Sequence, residues 1–308
     1  LLYIEESKTF LAMAEKQKSS NDVDARGLVL RRGHLQNQAV QGLLLWDLVP
    51  CMTGTSESCS CSSPGSGPRT QWGRGMAYRW PVAAWWYAVR YAYLIQQSHC
   101  MGKSTYTHPH SLYLYSEDHG QTWLVSELVS ELQTLECEAA EITRPDASPQ
   151  LYLNTRIKKQ GLRAEVVSLE PGSLHKPTLA QELVETGYNG CQGSVVSFPG
   201  PSPSPTHSNN QPFWLVFTHP TDKKDRVDLG MYVNLLSHPT PGWSKPWLIN
   251  RGPSAYSDLA YVATCRADDM GAFGCLFKRG DSNYEQIVFC LFTVRELMEH
   301  VCISDSGP

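Results

Sequence analysis

The chain opens on short apolar runs that break and resume. Leu1-Leu2-Tyr3-Ile4, a polar break, Phe10 to Ala14, then Gly27 to Arg31 ending at Gly33 predict strand, turn and strand over residues 1–34. From Tyr91 on, apolar runs return between turn clusters. They are Ser111–Tyr115, Leu151–Leu153, Gly193–Phe198, Phe213–Thr218, Leu229–Leu236, Tyr256–Val262, Phe273–Phe277 and Gln286–Phe292. Many short strands separated by turns predict an all-β sandwich, barrel or propeller. Two segments read as helix: Thr293 to Val301, closing the chain, and Trp123 to Ile142, whose LVSE-LVSE repeat has helical spacing. Residues 36–90 keep no period of 2 or 3.6, being rich first in Ser, Gly and Cys and then in Trp. Residues 199–212 are a Pro/Ser-rich surface loop within a single domain, 1–308.

Composition narrows the classes. At 308 residues with 41% hydrophobic positions, the chain can bury a sizeable core, which excludes disorder. Its formal charge of −4 lacks the basic excess of a nucleic-acid binder. Ten cysteines have no paired CxxC spacing, and Cys59 and Cys61 lack a histidine at zinc-finger distance, so neither a metal nor another cofactor is expected. No Asn-x-Ser/Thr acceptor occurs, and Leu1 to Phe10 is no signal peptide, which favours a cytosol-facing protein. The apolar stretch Met76–Ile95 carries Arg79, Pro81 and Arg90, so it does not read as a transmembrane helix. Its Trp80, Trp85, Trp86 and Tyr87 suit peripheral membrane contact.

One motif is more specific. Ser116-Glu-Asp118-His-Gly120-Gln-Thr122-Trp123 fits Ser/Thr-x-Asp-x-Gly-x-Thr-Trp, the Asp box. In such a hairpin Gly120 can take a positive φ, Asp118 accepts from turn amides, and Trp123 anchors the returning strand. Further segments carry the same resemblance. They are Ala14-Glu15-Lys16 with Asp22, Thr134-Leu-Glu136-Cys137, Asn154-Thr-Arg156, Gly190-Cys-Gln192-Gly-Ser194, Arg226-Val-Asp228-Leu-Gly230 and Ala255-Tyr256-Ser-Asp258. In this order the chain resembles the animal exo-α-sialidases, and most closely their plasma-membrane ganglioside branch. The resemblance implies a six-bladed β-propeller and replaces the helix at 123–142 with strand and loop around a catalytic glutamate. Local periodicity yields there to tertiary context.

The chemistry that the resemblance implies is retaining hydrolysis of terminal sialic acid from glycolipids, gangliosides above all, and from glycoproteins. Sialic acid bears a carboxylate on its reactive carbon, which repels a carboxylate nucleophile; sialidases use tyrosine instead. A phenol titrates near ~10 and needs a base beside it at neutral pH. By resemblance Tyr256 is the nucleophile, Glu136 takes its proton, and Asp22 is the acid/base for the departing oxygen. Arg156 and Arg226 match two arginines that grip the carboxylate, a task suited to the planar guanidinium fork. Tyr91, Tyr93, Glu15 and Gln192 match pocket-lining positions.

The departures matter as well. A third carboxylate-binding arginine, expected ahead of the strand that starts at Leu1, does not occur in the 308 residues, and Gln17 stands where the family has an arginine. Residues 36–90 do not match a normal blade and have the texture of an altered reading frame or a misjoined exon. Charge-assisted bonds contribute ~1.5–3 kcal/mol each, so losing one slows catalysis roughly ten- to a hundredfold. The competing reading is therefore an impaired propeller that binds sialoglycans without hydrolysing them.

Overall fold

The computed structural model describes residues 1–17, 25–36, 39–41, 46–47, 70–72, 77–78, 86–97, 104–118, 121–142, 149–158, 161–200, 213–235, 242–263, 270–281 and 285–303. These residues form four antiparallel sheets and one helix. The first sheet joins β1 (Leu2–Ile4), β2 (Thr9–Gln17), β3 (Ala25–Gln36), β4 (Ala39–Gln41) and β5 (Trp46–Asp47). The second joins β6 (Thr70–Trp72), β7 (Ala77–Tyr78), β8 (Trp86–Gln97), β9 (Ser104–Ser116) and β10 (Leu124–Val125). The third holds β11 (Thr134–Ile142), β12 (Gln150–Ile157), β13 (Leu162–Glu170), β14 (Ser173–Leu174) and β15 (Thr178–Val184). The last runs in chain order through β16 (Ser194–Pro199), β17 (Phe213–Pro220), β18 (Val227–Asn234), β19 (Trp247–Val262), β20 (Ala272–Arg279) and β21 (Gln286–Thr293).

From the second sheet to the fourth, and from the fourth back to the first, apolar faces are buried against one another. Tyr87, Val89 and Tyr113 of the second sheet share a core with Ala139, Leu151 and Leu153 of the third. Tyr152 and Val167 of the third pack with Leu215, Phe217 and Tyr232 of the fourth. Phe10 of the first sheet meets Ala260, Val262 and Phe289 of the fourth, returning the chain's start to its end. Serial face-to-face packing with closure of first on last is propeller-like. The expected all-β class holds; the described residues give four sheets where six blades were expected.

The segment 123–142 settles the contest between pattern and context. It folds as strand β10, an irregular stretch, and strand β11, as the resemblance implied. Leu124, Val125, Leu128 and Leu132 stay exposed while Val129 is fully buried, so the apparent helical stripe has no core to face. The closing helix forms as the pattern predicts, as α1 (Val294–Ile303). Thr293 and Glu296 cap it reciprocally: Glu296 accepts from the Thr293 amide at 2.7 Å, and the Thr293 hydroxyl accepts from the Glu296 amide at 3.1 Å.

The Asp-box turn is built largely as its residue types demand. Asp118 accepts from the Ser116 hydroxyl at 2.7 Å, from the Thr122 amide at 2.8 Å and from the Thr122 hydroxyl at 2.6 Å. Trp123 departs from expectation, retaining 42% exposure beside a two-residue edge strand. Gly120, the loop segment 201–212 and most of 36–85 lie outside the described residues.

Candidate active site

Two β-bulges place the reactive candidates. The register of β11 against β12 shifts between Thr134 and Cys137, which puts Leu135 and Glu136 in an irregular step. The register of β19 against β20 shifts between Ala255 and Ser257, leaving Tyr256 as the extra residue. A bulge re-aims the side chain it carries. Tyr256 has a φ of 49°, a left-handed conformation that a bulky residue rarely adopts, and keeps 37% of its surface exposed.

Glu136 is supported from β9. The Ser111 hydroxyl donates to the Leu135 carbonyl at 2.6 Å and pairs with the Thr155 hydroxyl at 2.7 Å. Opposite the bulge, Arg156 donates from Nη1 to both Glu136 oxygens, at 2.9 and 2.8 Å, and from Nε to the Asn189 carbonyl at 2.6 Å. Burial alone would weaken the Arg156 cation, but the charges of Glu136 and Tyr256 outweigh it and hold the guanidinium above its ordinary range. Among the described residues, Glu136 is engaged by Arg156 and makes no hydrogen bond to the Tyr256 hydroxyl.

Arg226 lies just ahead of β18, where the turn is held by Asp228, another left-handed residue with φ 59°. The Gly252 amide donates to the Asp228 carboxylate at 2.7 Å, and the Ser254 amide to the Arg226 carbonyl at 2.9 Å. Arg226 Nη2 donates to the Gly190 carbonyl at 2.8 Å, and its guanidinium stands 5.4 Å from the Tyr256 ring centre. Lys278 Nζ stands 5.3 Å from the same ring. The sequence reading missed Lys278; it follows the Phe273–Phe277 run directly, and only the register opposing it to Ala255 reveals its place.

The other candidates are less concentrated. Tyr91, half-buried, and Tyr93 lie on β8, opposite Ser111 and Pro109, and β8 packs beside β11. Glu15 is on β2 opposite Leu28. Asp22 lies outside the described residues. Gln192, expected to line the pocket, directs its amide to main chain, accepting from the Ser257 amide at 3.1 Å and donating to the Ser257 carbonyl at 2.9 Å.

Below the cluster lies a buried polar brace that the sequence did not announce. Glu185 accepts from Arg163 at 2.9 Å, lies 2.9 Å from His219 Nε2, and accepts from the Cys191 amide at 2.8 Å. Burial pushes the Glu185 carboxyl up, yet the Arg163 charge, the neighbouring His219 and the Cys191 amide bring it down to about 2. Gly190 must be glycine here: its φ is +67°, and a Cβ would sit 2.6 Å from the Glu185 carboxyl carbon.

What this arrangement can do is bind an anion: Arg226 and Lys278 stand against the Tyr256 ring, and Arg156 lies within electrostatic reach of it. A propeller-like stack of sheets with two arginines, a carboxylate and a left-handed tyrosine in one cluster fits a propeller-type glycoside hydrolase. Comparison with curated proteins agrees. Sialidase-3 of Bos taurus is 32% identical, covering 100% of this chain and 91% of the relative, and Sialidase-3 of Homo sapiens is 31% identical over 98% and 90%. The chain belongs to the sialidase family. No family model matches it. Among solved structures, a sialidase of Trypanosoma rangeli in complex with sialic acid superposes with TM-score 0.55 at 14% identity, which supports the fold. The chain covers 54% of that structure's length.

Proposed function

We propose that this chain is a retaining exo-α-sialidase that releases terminal sialic acid from glycoconjugates, with gangliosides as its foremost substrates. The observation that carries the reading is the cluster of Tyr256, Glu136, Arg156 and Arg226, brought together from four strands or their approaches. Arg156 commits Nη1 to Glu136 and Nε to Asn189, which leaves Nη2 for the substrate carboxylate, with Arg226 as the second arm. The Tyr256 oxygen attacks the anomeric carbon while the bond to the leaving oxygen breaks. Glu136 takes the phenol proton, and Asp22 supplies a proton to the leaving oxygen. Water activated by Asp22 then cleaves the sugar–tyrosine bond, and Glu136 returns its proton to the phenolate. Tyr91, Tyr93 and Glu15 line the sugar pocket in this reading.

The six-bladed architecture belongs to the same proposal. What favours more blades than the four sheets is β19, which pairs with β18 as far as Pro253 and with β20 from Ser254, dividing the last sheet into two blade-like units and giving five among the described residues. Peripheral attachment to the plasma membrane also belongs here; no helix among the described residues is long and apolar enough to cross a membrane. Hydrolysis of a fluorogenic sialoside tests the chemistry. Tyr256→Phe is expected to lower kcat about 10³-fold or more, roughly 4 kcal/mol of barrier. Turnover that survives the substitution overturns the assignment. Tight binding of an unsaturated sialic acid analogue by an inert wild-type chain supports the binding-module reading instead.

A further inference from the structure

Four consecutive residues touch every member of the cluster except Glu136. The Asn189 carbonyl accepts from Arg156 and the Gly190 carbonyl from Arg226. The Cys191 thiol lies beside the Tyr256 main chain. The Gln192 amide pairs with both main-chain groups of Ser257. The segment is itself fixed from beneath, where the Cys191 amide donates to Glu185 and the Cys191 carbonyl accepts from Arg163 at 2.8 Å.

The position of Gln192 in this set is informative. β19 leaves β18 at Pro253, so beyond that point one edge of the strand pairs with no other strand of the fourth sheet. Gln192 pairs there as a neighbouring strand would, one residue after the left-handed Tyr256. Its Nε2 also donates to the Gly193 carbonyl at 3.0 Å and approaches Glu138 Oε1 at 3.4 Å, so both amide hydrogens are occupied within the protein. A side chain saturated in this way acts on its neighbour's geometry rather than on a sugar.

We infer that residues 189–192 are a positioning segment for the reaction, and that the Gln192 amide holds Tyr256 in the left-handed bulge from which its hydroxyl is presented. The inference rests on the sialidase reading for its effect on rate, and on the geometry alone for its effect on the bulge. A misplacement of about 1 Å in a reacting group lowers rates by as much as ~10²-fold.

The test uses Gln192→Ala and the near-isosteric Gln192→Met, which removes both hydrogen bonds but keeps the packing. Both are expected to lower kcat ten- to a hundredfold, an order of magnitude set by positioning effects. KM and affinity for an unsaturated sialic acid analogue should stay within about twofold, because the arginine clamp is untouched. Gln192→Glu adds a readout that a merely structural role would not move. Protonated, its carboxyl can both accept from and donate to Ser257, so its kcat relative to wild type should rise as pH falls. Unchanged kcat in the Ala and Met variants overturns the inference. So does a loss of analogue affinity that parallels the loss of kcat, which would mean direct contact with the sugar. If wild type is inert or Tyr256→Phe retains full turnover, the sialidase reading fails separately. Amide exchange at Ser257 then decides: exchange at least tenfold faster in Gln192→Met supports the clamp, and unchanged exchange overturns it.

Discussion

Two carboxylates in this molecule are held at about 2, and they get there by opposite routes. Asp118, in the Asp-box turn, stands in water and is held down first by the Thr122 hydroxyl, then by the Thr122 amide and the Ser116 hydroxyl. Glu185, in the brace beneath the tyrosine, is buried against an adverse desolvation that only the Arg163 charge, the neighbouring His219 and local hydrogen bonds overcome. Equal acidity therefore conceals unequal stakes. The turn tolerates loss of its carboxylate because water replaces the partners, whereas in the brace nothing replaces them. The first region shapes a hairpin; the second fixes the segment that touches both arginines and the tyrosine.

The largest expected effect follows from that contrast. Glu185→Ala leaves Arg163, which is 0% exposed, as an uncompensated buried cation. It should destabilise the protein by about 3–5 kcal/mol in urea unfolding, and activity should be lost with it. Asp118→Ala should leave kcat unchanged and lower Tm only slightly. If the two substitutions cost alike, the contrast fails.

A double substitution sharpens the point. Arg163→Met removes the cation, so adding Glu185→Leu to it should cost less than the two single effects summed, with a coupling of about 0.5–3 kcal/mol. Stability can return in this way, but activity should not. Asn189, Gly190 and Cys191 would have lost the anchors that aim Arg156, Arg226 and Tyr256. Recovery of both together would show that the brace stabilises the fold without positioning the site.

How legible this was in the sequence depends on the distance over which each feature is determined. The Asp box is local: Ser116, Asp118 and Thr122 meet within one turn, and residue types at fixed spacing foretold their bonds. The candidates Glu136, Arg156, Arg226 and Tyr256 were named through resemblance, not pattern. The bulges that aim Glu136 and Tyr256 come from register shifts between strands, which no single strand encodes. Arg163 and Glu185 were passed over because charged residues are ordinarily solvated, and their burial depends on sheets packing from far along the chain. The run 124–132 misled by its spacing, since a helical stripe needs an apolar surface to face.

Lys278 tests an intermediate case. Its ammonium stands 5.3 Å from the Tyr256 ring on a half-buried strand position, neither free in water nor sealed in the brace. Cation–π contacts of that exposure contribute about 0.5–2 kcal/mol. Lys278→Met should therefore lower kcat/KM for a sialoside by roughly two- to thirtyfold while leaving Tm within a few degrees. A loss as large as that of Tyr256→Phe would mean that Lys278 carries a greater share of anion binding than the arginines.

The smallest effect lies in the turn, and its direction is fixed by linkage. A carboxyl whose folded value is depressed stabilises the fold fully above its unfolded value of ~3.9, and that contribution disappears as pH falls through about 2. Because hydrogen bonds from Thr122, not a paired charge, hold Asp118 down, Thr122→Val should move its titration up toward the ordinary aspartate range. Added salt should leave the wild-type value nearly unchanged. Carboxyl chemical shifts followed between pH 6 and 1.5 at low and high salt would check both statements. A wild-type titration that climbs with ionic strength would show that distant charges, rather than the turn's own hydroxyl and amide, set the acidity of Asp118, and would make the two carboxylates alike after all.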